Sequence, residues 1–249
     1  MPAARIILIV TAFFLLAGCG KKGALIPPEA LVPAAVTDLN ARQQGGDIVI
    51  TWTQPQKEKS GRPLKDLSSM EITRRLVTGG STDCAACPES WEKVAELDPN
   101  YPGKALKIGA LYILRDGAGE IGRKAEYRLV SRSKSGGESQ SATTRLMTTE
   151  SAGDAPQLTA EVLPSSVRLS VKSAGAAGFN IYRRESKSEP ATLPLNGEPV
   201  KGAFWEDSGV SFGKSYFYRA TTLELKNGQP VESPFSKETE VLFQLPELR

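Results

Sequence analysis

The chain has 249 residues, of which 31 are Lys or Arg, 28 are Asp or Glu and none is His, so its formal net charge is +3. The absence of histidine removes the commonest general base, the commonest zinc ligand and the base of Ser-His and Cys-His nucleophilic sites. The nearly balanced charge gives no support for nucleic-acid binding. We therefore predict a protein that is not an enzyme, holds no metal or cofactor and does not bind nucleic acid.

The N-terminus has the layout of an export signal. A positive charge at Arg5 precedes an apolar run over residues 6–16, and two small residues then lead to Cys19. The run is too short for a membrane-spanning helix, which needs about 20 residues. This order of residues resembles the lipobox of bacterial lipoprotein signal peptides. The resemblance implies that residues 1–18 are cleaved off and that Cys19 carries a diacylglyceryl group and a further acyl chain, such as palmitate, on its new amine.

Acylation at Cys19 would attach the chain to a membrane. One acyl chain binds a bilayer only marginally, whereas two or more hold it firmly. Gly20 and Lys21 follow Cys19, and retention in the inner membrane, by the same resemblance, calls for Asp at the first of these positions. We therefore expect a lipid-anchored protein at the periplasmic face of the outer membrane, with exposure at the cell surface left open.

Residues 19–32 are predicted to form a tether, because Pro27 and Pro28 favour extended backbone over helix. The start of this segment, residues 19–28, resembles the N-terminus of the small lipoproteins associated with assembly of the lipopolysaccharide transport machinery. Ala24 departs from that pattern, which has proline there. The resemblance implies an alternative function as an envelope assembly factor that acts through this segment.

From Pro33 onward the sequence consists of short alternating runs separated by Gly, Pro, Asn and Asp. Ile48, Ile50 and Trp52, for example, lie two residues apart, which is the period of a strand with one buried face. The predicted strands of the first half cover residues 47–52, 68–76, 91–97, 125–132 and 139–147. We therefore predict an all-β protein of antiparallel sandwiches.

This strand pattern occurs twice, and repeats define domains. Three alignments carry the repeat: residues 70–75 with residues 179–184, Trp52 with Val171, and Tyr127 with Tyr216. They predict two domains of one plan, over residues 33–149 and 156–249, with inserts in the first. The short polar bridge over residues 149–155 is expected to allow some hinge motion.

The repeated plan resembles the fibronectin type III family. The resemblance lies in residues 33–39, 50–52 and 126–130 of the first copy, and in Pro156 and residues 204–209 and 213–219 of the second. It implies a seven-stranded sandwich in each copy, with Trp52 in the core and a tyrosine hydroxyl, from Tyr127 or Tyr216, bonded to nearby backbone. The second copy has Val171 in place of the tryptophan, so we expect Trp205 to fill its core.

Cys84 and Cys87 form a C-x-x-C pattern. Lipidation of Cys19 leaves them as an even pair in an oxidising compartment, which predicts a structural disulfide. Two thiols are too few ligands for a structural zinc site. A thiol oxidoreductase centred on Cys84 and Cys87 is the remaining alternative.

Two other patterns resemble functional motifs. Residues 209–213 match the G-x-S-x-G nucleophile elbow, which requires a strand-to-helix turn and a histidine, so we predict a plain turn. The pairs Arg74-Arg75 and Arg183-Arg184 suggest binding of acidic polymers. Strand alternation, however, predicts that one member of each pair simply faces solvent.

The leading hypothesis is a membrane-anchored, non-enzymatic binding or scaffold protein. Its partner is expected to be an envelope protein or polysaccharide of unknown identity. Because long loops on a rigid scaffold commonly carry recognition, the inserts at residues 56–69 and 78–97 are the predicted contact region.

Overall fold

The alternating runs form strands in the computed structural model, which describes residues 25–78, 91–117, 121–172, 177–188 and 193–244. Those residues contain a 3₁₀ helix, Pro28–Ala30, and fifteen strands. The strands are β1 (Asn40–Gln44), β2 (Asp47–Thr53), β3 (Leu67–Thr78), β4 (Glu92–Leu97), β5 (Leu106–Ile108), β6 (Leu111–Asp116), β7 (Arg123–Ser133), β8 (Ala142–Met147), β9 (Gln157–Val162), β10 (Val167–Lys172), β11 (Gly178–Arg184), β12 (Phe204–Asp207), β13 (Ser215–Lys226), β14 (Gln229–Glu232) and β15 (Thr239–Leu242). Within these ranges, no helix has both the length and the apolar character needed to cross a membrane.

The first half of the chain is a sandwich of two sheets. Strands β1, β2, β6 and β5 lie side by side in one sheet, and β4, β3, β7 and β8 in the other. Both sheets contribute buried side chains to one apolar cluster. Trp52 lies in this core as predicted, fully buried, with its ring stacked on Tyr112 at 5.4 Å between centroids and its Nε1 donating to Met70 Sδ at 3.4 Å.

The second half repeats this architecture with fewer strands. Strands β9, β10 and β12 form one sheet, while β11 and the two short strands β14 and β15 pair with β13 in the other. Trp205 packs, partly buried, against the second apolar cluster, as expected from the absence of a tryptophan at Val171. The prediction of an all-β chain built as two tandem sandwiches is confirmed.

The strand registers show which residues of the two sandwiches are equivalent. Arg74 of β3 lies opposite Tyr127 of β7, and Arg183 of β11 lies opposite Tyr218 of β13. Tyr127 is therefore equivalent to Tyr218, and the predicted alignment with Tyr216 is wrong by two residues. Tyr216 and Tyr218 lie on the same face of β13 and are both buried, so the sequence pattern does not distinguish them.

One sheet runs through both sandwiches. Strand β14 of the second sandwich pairs in parallel with β1 of the first, with Gln43 opposite Val231 and Gln44 opposite Glu232. The tight turn Asn227-Gly228, with φ values of 53° and 75°, reverses the chain between β13 and β14 and directs β14 to this position. The result is an eight-stranded sheet that extends from β11 to β5.

Candidate functional site at the domain junction

The predicted lipid and disulfide sites lie outside the described residues. Cys19, Cys84 and Cys87, the signal peptide and the first part of the tether all fall in ranges that the structure leaves undescribed. Lipidation and disulfide formation therefore remain predictions. In the part of the chain that is described, no group of three or more Cys, Asp or Glu side chains is placed to hold a metal ion.

The first predicted contact loop, residues 56–69, binds the chain's own N-terminal segment. Residues 30–34 run alongside residues 57–60 and form three backbone hydrogen bonds with them: Ala34 N to Lys57 O at 2.9 Å, Lys59 N to Val32 O at 2.9 Å and Ser60 N to Ala30 O at 2.8 Å. The end of the predicted tether is thus docked on the first sandwich, and this loop offers less free surface than its length suggests. Of the second predicted loop, residues 79–90 are not described and residues 92–97 form the edge strand β4.

The G-x-S-x-G pattern at residues 209–213 is a loop between β12 and β13, so it lacks the strand-to-helix geometry of a nucleophile elbow. Its Ser211 N donates to the Tyr216 hydroxyl oxygen at 2.8 Å. This is the tyrosine–backbone bond at a strand corner that the fibronectin type III resemblance implies. In the first sandwich Tyr127, the counterpart of Tyr218, donates its hydroxyl to the Asp116 carboxylate, so the expectation of a bond to backbone is wrong for Tyr127.

The two arginine pairs do not form a solvated face. The side chains of Arg74, Arg75, Arg183 and Arg184 are 13, 24, 18 and 15% exposed, so the prediction that one member of each pair faces solvent is wrong. Neighbouring strands and loops supply a carboxylate to each guanidinium, from Asp116, Glu126, Asp207 and Glu238 respectively. Ion pairing compensates for the partial burial of these cations.

Two of these ion pairs belong to a cluster that occurs once in each sandwich. Asp116 accepts hydrogen bonds from Arg74 Nη1 and from the Tyr127 hydroxyl, both at 2.8 Å. Asp207 accepts from Arg183 Nη1 and from the Tyr218 hydroxyl, also at 2.8 Å. In both sandwiches the aspartate belongs to one sheet and its two donors to the other, so the cluster ties the sheets together.

The tyrosines of these clusters are proton donors that do not ionise readily. Burial, strengthened by the hydrogen bond to Asp116, raises the pKa of Tyr127 well above its usual range. Burial and the hydrogen bond to Asp207 do the same to the pKa of Tyr218. A hydroxyl that stays protonated and is fully buried suits a structural role better than acid–base chemistry.

A third polar cluster joins the two sandwiches and centres on Glu232 of β14, which is 4% exposed. Its Oε2 accepts from the Tyr182 hydroxyl at 2.6 Å, from Thr221 Oγ1 at 2.7 Å and from Gln44 Nε2 at 3.1 Å. Its Oε1 forms an ion pair with Arg42 of β1. Burial and the negative charge of Glu232 raise the pKa of Tyr182, so this hydroxyl too remains a donor.

The bridge between the sandwiches is also fixed by side chains. Gln43 accepts a hydrogen bond from Thr149 N at 3.0 Å and donates one to Thr149 O at 2.6 Å. Lys226 Nζ donates to Ser151 O at 2.6 Å, and Ala152 is 1% exposed. The bridge is bonded to both sandwiches and a shared sheet lies beside it, which argues against the hinge motion expected over residues 149–155.

A groove follows the junction on the side of β8. Its narrower part measures about 280 Å³ and lies between β1, β8 and β14, with Arg42, Arg145 and Gln229 in its walls. A wider part of about 630 Å³ continues past Met147 towards Glu150 and Lys226. Sequence reasoning missed both the junction and the groove, because Gln43, Gln44 and Glu232 form no apolar pattern or motif.

Comparison with known proteins gives little further information. No protein-family model and no curated protein matches the chain. Among solved structures, the crystal structure of the chicken CNTN1 FN1-FN3 domains covers 87% of this chain and 69% of its own, with a TM-score of 0.34 and 12% sequence identity. A likeness this distant supports no inference about function.

Proposed function

We propose that this chain is a lipid-anchored periplasmic protein that acts as a non-enzymatic binding or scaffold module through two fibronectin type III-like domains. The observation that carries the proposal is the eight-stranded sheet shared by both sandwiches. Because that sheet and the Glu232 cluster fix the sandwiches to each other, the molecule offers one extended surface of constant shape. A constant shape favours specific recognition, since little ordering entropy is lost on binding.

The strand arrangement supports the fibronectin type III-like assignment. In each half, the first two strands and one or two later strands form one sheet, while the third strand lies in the other sheet with the final strands of that half. The tyrosine corner at Tyr216 and the buried Trp52 are further features that this type of sandwich shares.

The N-terminal segment supports attachment close to a membrane. Backbone bonding to the first sandwich begins at Ala30, and Leu25 is 99% exposed. A fully extended chain from Cys19 to Ala30 spans at most about 36–40 Å. An acylated Cys19 would therefore hold the sandwiches next to the bilayer. Because the periplasm is oxidising, Cys84 and Cys87 would form a disulfide there.

Intact mass spectrometry of the mature protein, combined with membrane fractionation, tests this proposal. The expected product begins at Cys19, carries acyl mass and sediments with outer membranes, whereas a Cys19→Ser variant keeps residues 1–18 and loses the acyl mass. A wild-type chain that retains its first 18 residues without acylation would contradict the proposal. A Cys84→Ser variant is expected to remain acylated and membrane-bound, because the predicted disulfide is structural.

A further inference from the structure

We propose that the groove at the domain junction binds an extended, acidic peptide segment of an envelope protein, which adds to the outer edge of β8 as a further strand. The inference rests on the proposed binding function and names its partner class and contact surface. Its basis is the edge of β8, the charge around the groove and the side chains that occupy the edge.

Among the strands that the structure describes, β8 pairs with β7 alone. Thr148 N, directly after β8, donates inwards to Arg123 O at 2.8 Å, whereas Met147 N donates outwards to the Gln229 side chain at 3.0 Å. Since N–H groups alternate along a strand, Arg145 N also points away from β7. The outer edge of β8 therefore presents backbone groups in the spacing that an added strand requires.

Side chains from the second sandwich and from β1 occupy part of this edge. The Gln229 side chain accepts a hydrogen bond from Met147 N, and the Gln43 side chain is bonded to both the N–H and the C=O of Thr149. A primary amide offers the same donor and acceptor groups as a peptide bond. The two glutamines thus stand where the backbone of an additional strand would lie, and an incoming peptide has to displace only Gln229 to reach Met147 N.

The charge of the groove favours an acidic occupant. Among the described residues that line it, Arg42, Arg145 and Lys226 are basic and Glu150 is acidic. Arg42 is committed to Glu232, and Lys226 Nζ lies 3.6 Å from Glu224 and donates to Ser151 O. Arg145, in contrast, is 65% exposed, and its partner carboxylate on Glu126 is 3.9 Å away. A six-residue extended segment is about 20 Å long, which matches the six residues of β8 and would carry carboxylates past Arg145.

The test uses the full lipidated chain in detergent micelles and a ten-residue peptide of alternating Thr and Glu with blocked ends, followed by fluorescence anisotropy. A peptide with Lys in place of Glu is the matched probe. We expect the acidic peptide to bind at least about tenfold more tightly, as charge complementarity requires. Equal binding of the two peptides, or no binding of the acidic one at millimolar concentration, overturns the inference and leaves the mass and fractionation test of the proposed function unaffected.

Three variants in the groove and one control locate the binding. Arg145→Glu is expected to weaken it about tenfold, while Arg62→Glu, an exposed site away from the groove, leaves it within about twofold. Gln229→Ala is expected to strengthen it about threefold, because Met147 N is then open to the peptide. Met147→Pro removes that N–H from the outer edge, where proline is tolerated, and is expected to abolish binding.

Binding that is unchanged in Arg145→Glu, Gln229→Ala and Met147→Pro takes place at another surface and overturns the assignment. Weaker binding to Gln229→Ala than to the wild type would show that Gln229 contacts the peptide and does not occupy the place of the peptide's backbone. That result overturns the strand-addition geometry. Self-association of the wild type in sedimentation, abolished by Met147→Pro, would assign the edge to a second copy of the chain and overturn the peptide assignment.

Discussion

Asp116 and Asp207 have the same environment in their respective sandwiches, each accepting from an arginine and a buried tyrosine. Asn at either position keeps the shape but removes the buried carboxylate, so Arg74 retains only the largely exposed Glu92 as a counter-charge and Arg183 only the half-exposed Glu185. We expect Asp116→Asn and Asp207→Asn each to lower the free energy of unfolding by about 2–3 kcal/mol, measured by urea denaturation.

The matched control is Asp47→Asn. The Asp47 side chain is 48% exposed and 3.5 Å from Arg115, so its loss is expected to cost less than about 0.5 kcal/mol. If Asp116→Asn or Asp207→Asn also lowered the free energy of unfolding by less than about 0.5 kcal/mol, the structural role of the two clusters would be contradicted.

Three buried tyrosines make the protein sensitive to alkali. Burial raises the pKa of Tyr127, Tyr182 and Tyr218, whereas an unfolded tyrosine ionises near pH 10. The native state therefore keeps protons that the unfolded state has lost. The stability that these hydroxyls contribute is fully present below about pH 10 and is lost as the pH rises towards their folded pKa values.

Each of these groups is expected to contribute a slope of about 1.4 kcal/mol per pH unit above pH 10. Denaturation curves between pH 8 and 11.5 would measure it, and Tyr218→Phe is expected to reduce the slope by about that amount. The same slope in the wild type and in Tyr218→Phe would contradict the assignment of Tyr218 as a buried, protonated donor.

At the scale of elements, Gly178 marks a close approach at the start of β11. A Cβ built there would lie 2.9 Å from the backbone oxygen of Val200, and Phe179 exchanges two backbone hydrogen bonds with Val200 at 3.0 and 2.9 Å. Because a backbone atom moves less easily than a side chain, Gly178→Ala is expected to cost about 1–3 kcal/mol.

Gly197→Ala is the control for this change. No heavy atom lies within 4 Å of a Cβ built at Gly197, so the substitution is expected to stay within about 0.5 kcal/mol of wild type. Thermal denaturation of both variants compares them directly. Equal melting temperatures would show that the segment around Val200 moves away from β11 without cost.

The strands differ in how well the sequence predicts them. In residues 47–52, Ile48, Ile50 and Trp52 are buried as the two-residue period requires, and Val49 on the opposite face is buried as well. Strand β1, with the sequence Asn-Ala-Arg-Gln-Gln, was not predicted, because its buried residues Gln43 and Gln44 are polar. Their burial depends on hydrogen-bond partners more than 100 residues away, which a local pattern cannot reveal.

For the whole molecule, the sequence predicts the two sandwiches but not their relation to each other. Repeats reveal units that share a plan, and the interface between units follows from long-range pairing. Here that pairing is the two-residue parallel register of β1 with β14, together with the Glu232 cluster. Sequence patterns do not reveal a groove at this interface either, so the contact region was predicted on loops.

The Glu232 cluster is expected to hold the two sandwiches in one orientation. Glu232→Gln leaves the largely buried Arg42 without a counter-ion, which is expected to cost about 3 kcal/mol and to loosen the junction. Glu240→Gln is the control, since the Glu240 side chain is 52% exposed and pairs with Lys187 at 3.2 Å, and it is expected to have little effect in urea denaturation. Equal stability of the two variants would contradict the role of Glu232.

The fixed relation between the sandwiches is measured most directly by the distance between spin labels on the two halves of the lipidated protein. Genetically encoded labels at Lys104 in the first sandwich and Glu161 in the second, both exposed, leave the native cysteines untouched. Double electron–electron resonance is expected to give one narrow distance distribution for the wild type and a broader one for Glu232→Gln. A broad distribution in the wild type would show that the sandwiches move independently, and would contradict a scaffold of constant shape.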